Sequence, residues 1–292
     1  MRLLAVSDLH LGHEANRLAL AGVSDHRDDW LIVAGDVGET FEHLELAWQT
    51  LVPRFAKVFW TPGNHELWIR GEVPQVPQVP RGVARYDALV ELCRRHGVVT
   101  PQDPYETWPG DGRTIVAPLF TLYDYSFRPD AVAEADAVAW ARESGVLCSD
   151  ERLLSPDPFV SRAAWCHERV RATEARLDAL PTDRPTVLVS HFPLRYDLAR
   201  PPRIPRFSIW CGTRRTEDWG IRYRAVVMVS GHLHLRSTLM RGGVRCEEVS
   251  LGYPREWSRD RSFDSFLREI LPSAQPDPDY IANRWRGDPF LK

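Results

Sequence analysis

The chain has 292 residues, 43% of them hydrophobic and 26% charged, with a formal net charge of −3. That length and balance suit a soluble globular protein with room for a large core. The slight negative charge argues against a nucleic-acid or anionic-membrane surface, and no apolar run approaches the roughly 20 residues of a transmembrane helix.

The opening stretch, MRLLAVSDLH, turns polar too soon for a secretory leader and reads as a first strand ending at Ser7-Asp8. Further apolar runs of strand length follow. WLIVA ends at Gly35-Asp36, AKVFW near Gly63-Asn64-His65, PTVLVS at His191 and AVVMVS at Gly231-His232. Such runs predict strands buried on both faces. Helical patterns lie between them, over 42–55, over 85–97 and over 162–180, the second closed by basic residues and a glycine. Strand–helix alternation predicts an α/β fold. RSTLMRG and VRCEEVS, joined at Gly242-Gly243, read as a hairpin. VPQVPQVP (73–80) reads as a surface excursion, 195–220 as a long irregular loop, and SFDSFLREIL as a weak helix. The expected organisation is one domain over 1–255 with a C-terminal extension over 256–292. Five scattered cysteines without a CxxC argue against a disulfide framework and for a cytoplasmic protein.

The strand ends share their chemistry. Asp8, His10, Asp36, Asn64, His65, His191, His232 and His234 are oxygen and imidazole donors with no thiolate among them. In open α/β sheets ligands bind beyond the C-terminal strand ends. This donor set suits Mn, Fe or Zn ions and is too large for one. Two metals need about 3.5–4 Å of separation and a shared carboxylate.

The five blocks DLH (8–10), GD (35–36), GNHE (63–66), SH (190–191) and GHLH (231–234) occur in that order. Together they resemble the signature of the calcineurin-like metallophosphoesterases. The resemblance implies a four-layer α-β-β-α sandwich, with two mixed sheets flanked by helices. It implies that Asp8, His10 and His234 hold one metal, that Asn64, His191 and His232 hold the other, and that Asp36 bridges them. A hydroxide shared by the metals would then attack phosphorus. His65 would act as acid toward the leaving-group oxygen. VGE (37–39) stands where the Ser/Thr protein phosphatases carry an arginine-bearing extension, which argues against that branch. Further stretches, among them FAKVFWTPGNHELW, LYDYSF, VLVSHFPL, SIWCGT and VSLGYPREW, are similar to the phosphopantetheinyl hydrolases of that family. This implies removal of 4′-phosphopantetheine from a holo carrier protein.

Asn16, Tyr123 and Trp210 are expected to touch substrate, each set against a plainer role as helix start, aromatic core or loop packing. The basic loop RPPRIPR (200–206) would suit an acidic carrier protein, or be simply solvated. The rival reading is a phosphomonoesterase or phosphodiesterase for a small metabolite such as a nucleotide. A scaffold that has lost catalysis is disfavoured because every expected ligand is present.

Overall fold

A computed structural model describes residues 1–69 and 79–272. Most of the proline-rich segment 73–80 and the tail from 273 lie outside the described residues.

The first sheet holds β1 (Leu3–Val6), β2 (His26–Val33), β3 (Phe55–Trp60) and β10 (Arg268–Leu271), in the order β10-β1-β2-β3. The second holds β4 (Glu106–Thr107), β5 (Ile115–Pro118), β6 (Thr186–Val189), β7 (Ala225–Ser230), β8 (Ser237–Arg241) and β9 (Val244–Glu248), in the order β4-β5-β6-β7-β9-β8. Each sheet is parallel at its centre and antiparallel at an edge, where β10 pairs with β1 and β4 and β8 close the second sheet. The helices are α1 (Glu14–Ala21), α2 (Phe41–Leu51), α3 (Asn64–Leu67), α4 (Gly82–Arg95), α5 (Ala137–Arg142), α6 (Asp150–Leu153), α7 (Arg162–Asp178) and α8 (Trp219–Arg222).

Strand alternation builds the layers. Leu3, Ala5, Trp30, Ile32 and Phe59 turn inward against Val116, Val187, Val189, Val227 and Val229 of the other sheet. Their neighbours Leu4, Val6, Leu31, Val33, Leu188 and Met228 turn outward into a cluster with helix residues such as Leu44, Trp48, Leu89, Trp165 and Trp219. Burying each such side chain contributes about 1.5–3 kcal/mol. The expected four-layer sandwich with two mixed sheets is therefore the observed one.

Two local expectations change. The helix read over 42–55 stops at Leu51, because Pro53 cannot continue it; a 3-10 turn over Val52–Arg54 leads straight into β3. SFDSFLREIL forms a 3-10 turn at Phe263–Phe266 and then β10, not a helix. Without β10 the backbone edge of β1 would be unpaired, and Leu271 pairs with Leu3 there while Ile270 enters the inter-sheet core.

The register places the site. Val6 pairs with Val33, Val33 with Trp60 and Val189 with Val229, so the parallel strands end level. The sheets join at this end: Ser7 N donates to Val249 O at 3.1 Å and Leu251 N to Ser7 O at 2.8 Å. Among the described residues no helix is long and apolar enough to cross a membrane.

Candidate metal centre

The strand ends deliver three interlocking clusters. Asp8, His10 and His234 offer ligand atoms within 4.8 Å of one another; so do Asp36, His191 and His232, and so do His10, Asp36 and His65. Asp36 belongs to two of them, and it lies 3.4 Å from His191 Nε2 and 4.0 Å from His10 Nε2. Six of the seven expected ligands fall in these clusters, and the seventh, Asn64, joins through its Oδ1, 3.3 Å from His191 Nε2.

The backbone bends sharply to achieve this. Asp8, His10, Asp36, His232 and His234 all have positive φ, between 42° and 73°. Left-handed conformations in residues with a Cβ cost about 1–3 kcal/mol each and gather at functional sites. Space is equally tight. A Cβ on Gly231 would meet Asp8 Oδ2 at 2.3 Å, and one on Gly63 would meet Asp36 Oδ1 at 2.1 Å.

The hydrogen bonds around the cluster show which atoms remain free to bind. His191 Nδ1 meets the carbonyl of Ala34 at 2.9 Å, and His234 Nδ1 meets Glu256 Oε2 at 2.7 Å. Both contacts assign the N–H to Nδ1 and leave Nε2 as a bare lone pair. His234 Nε2 then faces Asp8 Oδ1 at 3.1 Å and His10 Nε2 at 3.1 Å. His191 Nε2 faces carboxylate and amide oxygens alone. His232 Nε2 is buried with no hydrogen-bond partner. Acceptors aimed at acceptors are stable only around positive charge, so the donor set fits two cations.

The titration behaviour has the same cause. Burial pushes His10 and His232 down to about 3, holding both as neutral ligands. Burial also opposes charge on His191, but Asp36 overrides it and lifts that histidine to about 10. Without cations, the carboxylates draw in protons instead. Asp36 stays well below the ordinary carboxylate value despite its burial, because His191 and His65 flank it.

His65 sits at the edge of the cluster, its ring 3.6 Å from that of Trp68. Its Nδ1 meets Glu39 Oε1 at 3.2 Å and its Nε2 lies 3.8 Å from Asp36 Oδ2. Burial lowers its basicity, yet Asp36 and Glu39 raise it above the ordinary value overall.

Several further residues support the ligands, and apart from Glu66, which closes the GNHE block, the sequence pattern assigns them no role. Ser7 Oγ and Ser250 Oγ donate to Asp8 Oδ2 at 2.5 and 2.7 Å. Glu66 accepts from the backbone N–H groups of Asp36, Val37 and Gly63 at 2.9–3.0 Å, tying two ligand loops together. Tyr253 stacks on His10 with ring centroids 4.4 Å apart. Glu256 stands in the stretch VSLGYPREW, but nothing in that pattern marks it as the partner of His234.

The three side chains expected at the substrate are all fully buried. Asn16 donates to the carbonyls of Leu9 and Gly252, at 2.7 and 2.9 Å, and so braces the DLH loop from behind. Trp210 Nε1 donates to Glu151 at 2.8 Å. Tyr123 packs edge-on to Phe192, beside His191. In each case the polar atom or ring that suggested substrate contact faces the interior.

Residues 1–236 match the family model for calcineurin-like phosphoesterases. The chain belongs to that family. A phosphoesterase of this kind is a metal-dependent hydrolase of phosphoric esters, and the family implies a two-metal site, for which the clusters above supply the donors. One calcineurin-like relative is the [acyl-carrier-protein] phosphodiesterase PptH of Mycobacterium tuberculosis, 50% identical over 282 residues, which are 96% of this chain and 86% of the relative. The crystal structure of the phosphopantetheinyl hydrolase PptH from the same organism superposes with a TM-score of 0.86 at 49% identity, covering 96% of this chain and 97% of the other.

Proposed function

We propose that this chain hydrolyses the phosphodiester joining 4′-phosphopantetheine to the serine of a holo carrier protein. The observation that carries the reading is identity at the level of one residue in two, over 96% of the chain, to a relative named for that reaction, together with an intact donor set. Asp8, His10 and His234 would hold one metal, Asn64, His191 and His232 the other, and Asp36 would serve both. Hard oxygen and imidazole donors suit Mn or Fe ions, with Zn also compatible. Such a pair would neutralise phosphate charge and make water nucleophilic at neutral pH.

The chain's own groups do the rest. Glu39 holds Nδ1 of His65 and so turns Nε2 toward the cluster. That nitrogen, 3.8 Å from Asp36 Oδ2, is placed to donate a proton to the serine oxygen as the P–O bond breaks. Water contributes OH to phosphorus, its other proton passes to solvent, which in turn reprotonates His65, and the products are apo carrier and free phosphopantetheine. An apolar cavity supports an organic arm on the substrate. Leu198, Leu233, Leu235, Leu239 and Cys246 line it, with Arg200 and Arg241 in its wall beside Asp197, Glu247 and Glu248. Leu233 and Leu235 alternate with His232 and His234, so the cavity lies against the ligand loop. Exposed Arg203, on the loop beside it, suits an acidic partner.

Intact-protein mass spectrometry tests this, with holo carrier, Mn²⁺ and His65→Ala as control. Loss of one phosphopantetheine mass, much slower in the variant, is the expected result. An untouched carrier beside rapid hydrolysis of bis(4-nitrophenyl) phosphate would refute the substrate and move the search to small metabolites.

A further inference from the structure

An asparagine can hold a metal only through its oxygen, and its amide has two nearly isosteric ends. Something must therefore decide which end of Asn64 faces His191. Asn64 Nδ2 donates to Asp150 Oδ1 at 2.9 Å, and this single bond makes Oδ1 the atom that faces the cluster. Asp150 lies 86 residues further along the chain and outside all five motif blocks. It opens α6, a one-turn helix between β5 and β6.

The setting of Asp150 is unusual for a carboxylate. It is fully buried, and the same Oδ1 accepts a second bond, from Trp68 Nε1 at 2.6 Å. Arg162 is close, but its Nη2 bonds the main-chain carbonyl of Asp150 at 2.7 Å. A buried carboxylate that spends its oxygen on two neutral N–H donors is costly for the fold. That cost is explained if holding those donors matters. The segment is also firmly held. Glu151, next in sequence, accepts from Trp210 at 2.8 Å, Tyr125 at 2.9 Å and Arg162 at 3.0 Å.

We infer that Asp150 is a positioning residue, which locks the Asn64 amide with its oxygen toward the second metal position and thereby sets the affinity of that position. The inference rests on the ligand role given to Asn64 above. It does not depend on the carrier-protein substrate.

The test is Mn²⁺ titration by calorimetry, with metal content per chain by plasma mass spectrometry, on the full chain. Asp150→Ala is compared with Asp150→Asn and with Asn64→Ala. Loss of an outer partner of a metal ligand typically weakens binding about 10–100-fold. Asp150→Ala is expected to weaken one of two binding steps by that factor and leave the other intact. Asp150→Asn keeps an oxygen that accepts from Asn64 and Trp68, so it restores binding. Asp150→Ser, whose hydroxyl is too short to reach Asn64, repeats the test should the alanine variant fail to melt cooperatively. Full binding of both metals by Asp150→Ala or Asp150→Ser would overturn the proposal. So would equal losses in Asp150→Asn and Asp150→Ala, since charge and not an acceptor oxygen would then be the requirement. If Asn64→Ala itself binds both metals normally, the ligand assignment fails instead, and that outcome is separately visible.

Discussion

Gly63→Ala isolates how tightly the shared carboxylate is held. The backbone there has φ −93° and ψ −173°, so alanine is not disfavoured by conformation. The obstacle is space. The new Cβ would lie 2.1 Å from Asp36 Oδ1 and 2.6 Å from Asp36 N, whereas ordinary contact begins near 3.4 Å. Asp36 must therefore retreat by roughly 3.4 − 2.1 = 1.3 Å or the strand end must part. Its Oδ1 would then lose the bond from His65 N, now 2.9 Å. Misplacing a reacting group by 1 Å lowers rate about 100-fold, and forcing extra carbon into a packed site costs about 1–3 kcal/mol. The assay is kcat/KM on bis(4-nitrophenyl) phosphate at saturating Mn²⁺, beside metal content and thermal melting. Gly12→Ala is the control, in the loop after DLH, where the nearest atom to a new Cβ is 3.6 Å away. If Gly63→Ala matches Gly12→Ala in rate and metal content, the packing argument is wrong.

Three further outcomes follow from the same contacts. Chelation should lower the melting temperature and added Mn²⁺ should restore it, because a ligand at 100 times its Kd stabilises by about 2.7 kcal/mol; an unchanged melt would show that the clusters hold no stabilising metal. Glu256→Ala frees His234 Nδ1 and should weaken the position shared by Asp8 and His10 about 10–100-fold, with the Asn64 position spared in the same calorimetric titration. Asp29 is desolvated, yet two bonds from the Arg2 side chain and one from its N–H hold its carboxyl below the ordinary 3.8. A depressed carboxyl stabilises above its unfolded value and stops doing so as pH falls through the folded one. The melting difference between the wild type and Asp29→Asn should therefore be full at pH 7 and close below about pH 3.8, and a difference that persists in acid contradicts the sign.

Much of the site was legible because its ligands follow strands that announce themselves. Short apolar runs ending in Ser-Asp, Gly-Asp or Gly-His mark both the parallel strands and the edge at which they stop. What escaped notice acts at long range. β5 is the run IVAP, no shorter than β1 or β6, but it ends in proline and leads into no ligand block, so nothing marked it. β10 looks helical and becomes a strand only because β1 offers it an edge. Asp150 belongs to a single helical turn with no periodicity, and its importance lies in an approach to Asn64 that no local pattern encodes. Asn16, Tyr123 and Trp210 have side chains as useful for bracing an interior as for meeting a substrate.

The left-handed backbone at Asp8, His10, Asp36, His232 and His234 also bears on how such a protein can change over generations. Glycine enters that conformation without strain, recovering about 1–3 kcal/mol per position, less the roughly 0.4–1 kcal/mol its freedom in the unfolded chain takes back. Replacing a ligand with glycine thus silences the site and relieves backbone strain, at the cost of the bonds and packing the buried side chain supplied. At these five residues backbone strain favours glycine, while the bonds that side chains such as Asp8 and Asp36 accept from Ser7, Ser250 and the N–H of His65 favour the ligand. A duplicated copy released from the demand for metal binding should therefore accept glycine first where the ligand side chain carries the fewest buried bonds, and last at Asp8 and Asp36.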